Sequence, residues 1–533
     1  VSEIKQIKYP AMRSDFKMSC SLNGRNRSVC AHKIGPVSLD AIRPYPDVND
    51  QRTAAHGCLH RLAFEHGRMS HNDFQSLRGF VRRFIRRHLK PLSSSTDFDF
   101  EEWLLSTHYS ESRKDQLRRS HDQIKGKPKT SVSSFVKMES YPEFKPARII
   151  SSRHDQFKTY TGPIFHKIEK EVYKLPWFVK KIPVSERAQY LYEKLHRSGS
   201  IYCETDYSRW ESNFSSELMR ACELQLYSYM LKNFPREKSI IYDTLLGVNK
   251  IWFPNHNIRC RVRATRMTGE MCTSLGNGFT NLMVFLWACH RQFISVDGVV
   301  EGDDGLFRLS NRLDLSWFQR LGLTIKLDYV NHFGEASFCG ITCSTETLHT
   351  LRDPIKVLSK IGWTNSANFK YSTRRSIKLG LLRAKALSLL YEVPNCPVLG
   401  VLARRLIYLT DGINPVWDWD WFTWQAYSSL RSIGAHYQCG PYEATSADYE
   451  AIVSKFGLSL QEIVMLEREI ADMTFEYGPS CLKIINDHLG VDCSFYANHY
   501  KFAGDIKHVI RDPSVKASSW TFTGPNLEYV EHF

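Results

Sequence analysis

No stretch of this chain is apolar for long enough to cross a bilayer. The longest strongly apolar run, Leu282–Cys289, is far short of the roughly 20 residues a spanning helix needs. No signal peptide opens the chain. It begins at Val1 instead of a methionine, which fits a processed product or a trimmed chain, and a membrane anchor upstream stays open. Among 14 cysteines there is no CxxC pair, and the nearest two, Cys339 and Cys343, lie four apart. That argues against a secreted disulfide framework and against a zinc pattern, and reduced thiols in a cytosol-like compartment fit best. Cys58 sits between His56 and His60 without a fourth ligand in view, so packing is the expected use. Internal repeats at solenoid periods are also missing, as is a G-x4-G-K-[ST] phosphate loop, so neither helicase nor capping chemistry is indicated.

What is present is basic and well supplied with core residues. The 533 residues are 42% hydrophobic, enough to bury a sizeable core, and they carry a net charge of +15. Residues 1–150 hold 27 Lys and Arg against 16 Asp and Glu, so most of the surplus lies there. Such asymmetry suits a polyanion: nucleic acid, nucleotide or an anionic membrane surface. Residues 81–90 place Val81, Phe84, Ile85 and Leu89 on one helical face among arginines. That face reads equally as packed core or as a contact for membrane or RNA. A Trp-dense stretch, Trp417–Trp424, reads as a packing cluster in preference to a base-stacking platform.

The middle of the chain alternates two periodicities. A short strand is predicted over Ile201–Thr205, ending at Asp206. An amphipathic helix follows over Ser215–Leu231, then a long apolar helix over Leu275–Phe293. Two strands over Gly298–Leu309 turn at Asp303-Asp304, and a helical run, Leu315–Leu321, precedes a strand, Leu323–Leu327. Mixed strands and helices in this order predict an α+β layer, a sheet backed by helices.

Three groups of residues carry chemistry. In Glu301-Gly302-Asp303-Asp304-Gly305, two adjacent carboxylates share a glycine-flanked turn, a costly arrangement unless a cation lies between them. Hard cations such as Mg²⁺ prefer carboxylate and phosphate oxygens. A second carboxylate, Asp206, closes another strand, with Glu211 five residues on. Two metals bridged by such acids can activate an attacking hydroxyl and stabilise a leaving oxygen. In Thr268-Gly269-Glu270-Met271-Cys272-Thr273-Ser274-Leu275-Gly276-Asn277, Thr273 and Asn277 share a helical face, and an Asn amide can both donate to and accept from a hydroxyl.

Together, D-x4-E, T-G-x3-T-x3-N and G-D-D resemble palm motifs A, B and C of viral RNA-dependent RNA polymerases. The string M-T-G-E-M-C-T-S-L-G-N is most similar to the tombusvirus-like and flavivirus-like groups of positive-strand RNA viruses. Phe135-Val136-Lys137-Met138-Glu139 and Lys145-Pro146-Ala147-Arg148 resemble motif F, whose basic residues meet the incoming triphosphate. Tyr109-Ser110-Glu111-Ser112-Arg113-Lys114 weakly resembles the template-steering motif G. Gly322-Leu323-Thr324-Ile325-Lys326 resembles motif D, and Phe338-Cys339-Gly340 resembles motif E. Leu351-Arg352-Asp353-Pro354 resembles the start of a thumb.

The resemblance implies a right-hand polymerase with fingers, a palm built on an RRM-like antiparallel sheet backed by helices, and a helical thumb. It implies a basic N-terminal extension over 1–100 and fingers over 101–200. The palm then spans 201–350, with a fingers insertion near 232–265, and the thumb and C-terminal region span 351–533. The implied reaction is templated addition of NTPs to a 3′-hydroxyl with release of pyrophosphate. Two Mg²⁺ ions, with Mn²⁺ as a substitute, would be held by Asp206, Asp303, Asp304 and the Tyr207 carbonyl. Lys326 would act as general acid. Lys137, Lys145, Arg148 and Arg153 would face the triphosphate, and Glu211, Thr268, Gly269, Thr273 and Asn277 the nucleotide. Glu211 departs from the group, where Asp is usual, so its pairing with Asn277 to read the ribose 2′-hydroxyl has an altered reach.

Implied partners are RNA template, nascent RNA, NTPs, other viral or host replication proteins and a membrane. The implied location is host cytoplasm, in membrane-associated replication complexes. Three alternatives stay open: a double-stranded RNA virus polymerase, a reverse transcriptase (disfavoured by Gly302 before the acid pair), and a non-catalytic RNA-binding scaffold.

Overall fold

A computed structural model describes residues 12–20, 32–35, 48, 51–137 except 52 (side chain) and 66, 139, 146–364, 373–417, 430, 440–475, 484, 488 and 520–523. Lys145 and Trp-rich residues 418–424 therefore lie outside the described residues. The strands in chain order are β1 Lys17–Cys20, β2 His32–Lys33, β3 Val132–Val136, β4 Ile149–Arg153, β5 Ile201–Tyr207, β6 Val248–Phe253, β7 Ile258–Arg263, β8 Val296–Glu301, β9 Asp304–Leu309 and β10 Ile325–Val330. The fold is α+β, as the mixed periodicities predict.

Two sheets organise the part that carries the motifs. The first is four-stranded and antiparallel, in the order β10-β5-β9-β8. It is buried on both faces, because its strands alternate apolar residues to both sides. Cys203, Tyr207, Val300, Phe307 and Leu309 join a large helical core, and Tyr202, Val299 and Leu306 join a smaller cluster beneath helix Val184–Leu195. The large core is closed by helices His71–His88, Asp155–Val172 and Thr273–Arg291, and Phe285 stacks on Phe307 with ring centroids 3.6 Å apart. The second sheet is six-stranded. Residues 520–523, β1, β7, β6, β3 and β4 lie side by side, with β3 and β6 running parallel. Hairpin β6–β7, which in sequence follows β5 by some forty residues, thus joins the sheet of β3 and β4 instead of that of β5.

Several boundaries differ from those the sequence predicts, each for a local reason. Strand β5 runs on past Asp206 to Tyr207, because β10 supplies a ladder as far as Ile325 opposite Tyr207. The helix expected over Ser215–Leu231 breaks at Cys222, and the Ser215 hydroxyl caps its first half by accepting from the Leu218 N–H. The turn falls at Gly302 and Asp303, leaving Asp304 as the first residue of β9. Gly302 has φ +64°, a left-handed conformation that suits glycine.

The basic amphipathic helix extends over His71–His88, and its apolar residues Leu77, Val81, Phe84 and Ile85 are spent in the large core. Its arginines stay on the surface, so the apolar face offers nothing to a membrane. Among the described residues no helix is long and apolar enough to cross one. Cys58 is buried, with its sulfur 3.7 Å from that of Cys260, and burial beside Arg209 pushes the His60 imidazole down to about 4.

Candidate active site

The acids meet where β5 and β9 lie together. Thr205 pairs with Gly305, which sets Asp206 at the end of the ladder next to the Gly302–Asp304 turn. On its other side Asp206 stands opposite Lys326 of β10. The 3-10 turn Trp210–Asn213 then swings Glu211 back toward the same turn, entered through Arg209 at φ +55°. Tyr207 packs its ring on Trp210, centroids 4.1 Å apart, so only its backbone can serve the site.

Charge is crowded here. Burial, then the Glu211 carboxylate, then Asp304 push the Asp303 carboxyl up to about 6. Arg148, arriving from the six-stranded sheet, is close enough to pull it partly back. Asp304 is also raised, first by burial and further by Asp206 and Glu301, although the Cys339 thiol donates to it. Among the described residues no ion pair relieves Asp206, Asp303 or Asp304. Glu301, next along, is answered by Arg187 at 2.9 Å. This donor set, hard oxygens that no ion pair takes up among the described residues, fits a divalent cation. Among the described residues no three His, Cys, Asp or Glu groups are already drawn together tightly enough to enclose one.

Helix Thr273–Arg291 supports the turn from behind. Its buried Asn277 points its amide at Glu211, Nδ2 to Oε1 3.5 Å, and leaves its buried Oδ1 without a partner. One turn further, the fully buried Asn281 donates from a single Nδ2 to the carbonyls of Gly302, Asp303 and Asp304, at 3.2, 3.1 and 3.2 Å. Sequence reasoning missed Asn281. Its only signal was a second amide four residues after Asn277 in an otherwise apolar helix.

Residues 157–392 match the family model for viral RNA-dependent RNA polymerases. The chain is an RNA-directed RNA polymerase. A search of curated proteins finds no match. The matched segment of the polymerase contains both acid-bearing strands, the Asn277 helix and hairpin β6–β7, whereas β3 and β4 precede it.

The basic residues of the polymerase divide sharply. Lys137 and Arg148 sit at neighbouring ends of β3 and β4, where the Lys137 N–H donates to the Arg148 carbonyl at 2.7 Å. Both are partly exposed and share one carboxylate, Glu139, at 2.8 Å from Lys137 and 3.6 Å from Arg148. Arg153 does not join them, contrary to the sequence reading. Its side chain is 2% exposed, bound to Glu270 Oε1 at 2.7 Å, Asn249 Oδ1 at 2.6 Å and the Thr130 carbonyl at 3.0 Å. β4 alternates faces, and position 153 points inward with Ile149 and Ser151. Arg153 is therefore a positioning group and does not face a triphosphate.

Glu270 also accepts from Arg266, which in turn binds the buried Glu223. Two arginines and two glutamates thus tie the start of the Asn277 helix to the second sheet. Thr268 and Gly269 extend this seam: the Thr268 hydroxyl accepts from the Ser151 N–H at 2.8 Å, and the Gly269 N–H donates to the Ser151 carbonyl at 2.7 Å. A side chain at Gly269 would press on Ser151 and Ser152. Thr273 donates to the Met267 carbonyl at 3.2 Å and starts the helix. Lys326 is 69% exposed and held by Asp328 at 2.6 Å, which raises its pKa and keeps it protonated.

Proposed function

We propose that the polymerase copies a viral RNA genome by two-metal transfer of NTPs onto a 3′-hydroxyl, with the acid centre of β5 and β9 as its reacting site. One observation carries this reading: two neighbouring carboxyls at the β8–β9 turn, Asp303 and Asp304, are raised by burial and by the acids around them, and among the described residues neither has an ion-pair partner. When bound, Mg²⁺ or Mn²⁺ would supply charge neutralisation and hydroxyl activation. Asp206, Asp303 and Asp304 would hold it, with the Tyr207 carbonyl as a further oxygen.

The remaining residues bind and orient. Lys137, Lys145 and Arg148 offer their charges to the triphosphate, with Glu139 as the carboxylate that the nucleotide must displace. Asn277, with an unused acceptor and an amide toward Glu211, is placed to read a ribose 2′-hydroxyl. Thr268, Gly269 and Thr273 shape the loop beneath the nucleotide through backbone contacts. Lys326, protonated and next to Asp206 across the ladder, is the general acid toward pyrophosphate. Asn281 holds the turn.

In this reading residues 201–350 are the palm, 101–200 the fingers joined by hairpin β6–β7, and 351–533 the thumb and C-terminal region. Residues 1–100 link fingers to thumb. The positive-strand virus, the partner replication proteins and a membrane-associated site in host cytoplasm belong to the same proposal. The test is template-directed synthesis on RNA with Mg²⁺, with and without primer. Asp303→Asn is expected to abolish product while RNA binding persists. Synthesis retained by Asp303→Asn would overturn the site.

A further inference from the structure

A cleft of about 860 Å³ opens on the outer face of the six-stranded sheet, and none of the acids of the reacting site lines it. Its floor is hairpin β6–β7, whose residues alternate strictly between core and solvent. The inward set, Ile251, Phe253, Ile258, Cys260 and Val262, fills a core against helix Gln51–Arg61. Of the outward set, Lys250, Trp252, Arg259 and Arg261 line the cleft. Strand register places Lys250 directly opposite Arg261 and Trp252 directly opposite Arg259.

Like charges directly opposed across a ladder destabilise it unless an anion covers them. Among the described residues no carboxylate pairs with Lys250, Arg259 or Arg261. The cleft wall contributes His154, Asp155 and Lys158. Among the described residues Asp155 is the one acid there, and it is held by Arg113 at 2.6 and 2.7 Å and by Lys158 at 3.4 Å. Trp252 keeps 48% of its surface exposed beside this charge, a large apolar ring left uncovered. A flat aromatic face flanked by cations within a concave surface matches one ligand chemistry, a planar base carrying phosphate.

We propose that this cleft is a second nucleotide-binding site, in which a base stacks on Trp252 and its phosphate is held by Lys250, Arg259 and Arg261. The nucleotide is either free or part of a single-stranded RNA. The site is independent of the assignment of Asp206, Asp303 and Asp304, and its occupancy requires no synthesis.

The test is photocrosslinking of the full chain without divalent metal, using two probes. One is a single-stranded oligoribonucleotide containing 5-bromouridine, and the other is 8-azido-ATP. Mass spectrometry of the labelled peptides is expected to find adducts on residues 248–263 with at least one probe. Labelling by the oligonucleotide alone identifies a strand site, and labelling by azido-ATP identifies a free-nucleotide site. The double variant Arg259→Ala/Arg261→Ala keeps Trp252 and should lower the hairpin adduct about tenfold, in line with the loss of two charged contacts. If the ligand is a strand, the variant should also flatten the log–log salt dependence of oligonucleotide binding by about 1.4, two single-strand phosphate contacts. The melting temperature should hold or rise, because a repulsion has been removed. No adduct on the hairpin with either probe, or equal adducts in the variant, overturns the proposal. The synthesis assay on Asp303→Asn reports separately on the reacting site.

Discussion

Replacing Asp303 by Asn should stabilise the metal-free polymerase while destroying its chemistry. The folded Asp303 carboxyl has its pKa raised to about 6 from an ordinary 3.8. Below pH 3.8 it is protonated in both folded and unfolded chains and contributes nothing. Between 3.8 and 6 the unfolded chain gives up the proton first, so stability falls as pH rises. Above 6 the penalty is complete. Two pKa steps correspond to about 3 kcal/mol, and residual solvent contact at the turn reduces this to about 1–3 kcal/mol. Asparagine has nearly the same shape and no charge, so it removes the repulsion with Glu211 and Asp304. Thermal melts in EDTA at pH 8 should show Asp303→Asn a few degrees above the parent chain. The gap should close when the melts are repeated near pH 4. Mg²⁺ should raise the parent's melting temperature and leave the variant's nearly unchanged, since binding to the folded state alone stabilises by mass action. A variant no more stable than its parent at pH 8 in EDTA would refute the crowding argument, and with it the reason a cation is wanted there.

Arg153→Ala should unfold the seam between the sheets, costing about 3–5 kcal/mol because Glu270 loses a buried partner, as read by chemical denaturation. Gly276→Ala should cost about 1–3 kcal/mol, because a methyl there collides with the Glu223 carboxylate and the Arg266 guanidinium. Asn277→Ala should raise use of dNTP relative to NTP about tenfold in single-nucleotide incorporation, one hydrogen bond's worth of discrimination. Glu139→Gln should lower KM for NTP about two- to fivefold by releasing Lys137 and Arg148 from an exposed ion pair.

The structure and the chain pattern agree best where one periodicity dominates. Helix Thr273–Arg291 was legible because its second half is an unbroken apolar run, Leu282–Cys289, and β8 and β9 because two apolar runs flank a glycine and two acids. The break at Cys222 was not legible, since its residues continue a helical pattern and only packing interrupts it. Arg153 shows a different limit. Sequence places a basic residue near other basic residues, but strand alternation sends position 153 to the opposite face, where a glutamate 117 residues away awaits it. Asn281 was hidden for a similar reason, because its partners are backbone carbonyls of another segment, and carbonyls have no sequence signature.

By itself the sequence determined which residues could do the chemistry: three aspartates, a glutamate, an asparagine and a basic loop, in an order that resembles one family. It determined the alternation and the glycines that permit strands and a tight turn at Gly302. Only the tertiary structure decided which of these side chains share a space. It decided that Glu211 and Asp304 bear on Asp303, that Arg148 reaches the acids while Arg153 cannot, and that hairpin β6–β7 carries its charges onto an outer cleft. The reason is physical. Charge and periodicity are local properties of the chain, whereas burial, repulsion and pairing depend on distances that exist only after strands far apart in sequence have been laid side by side.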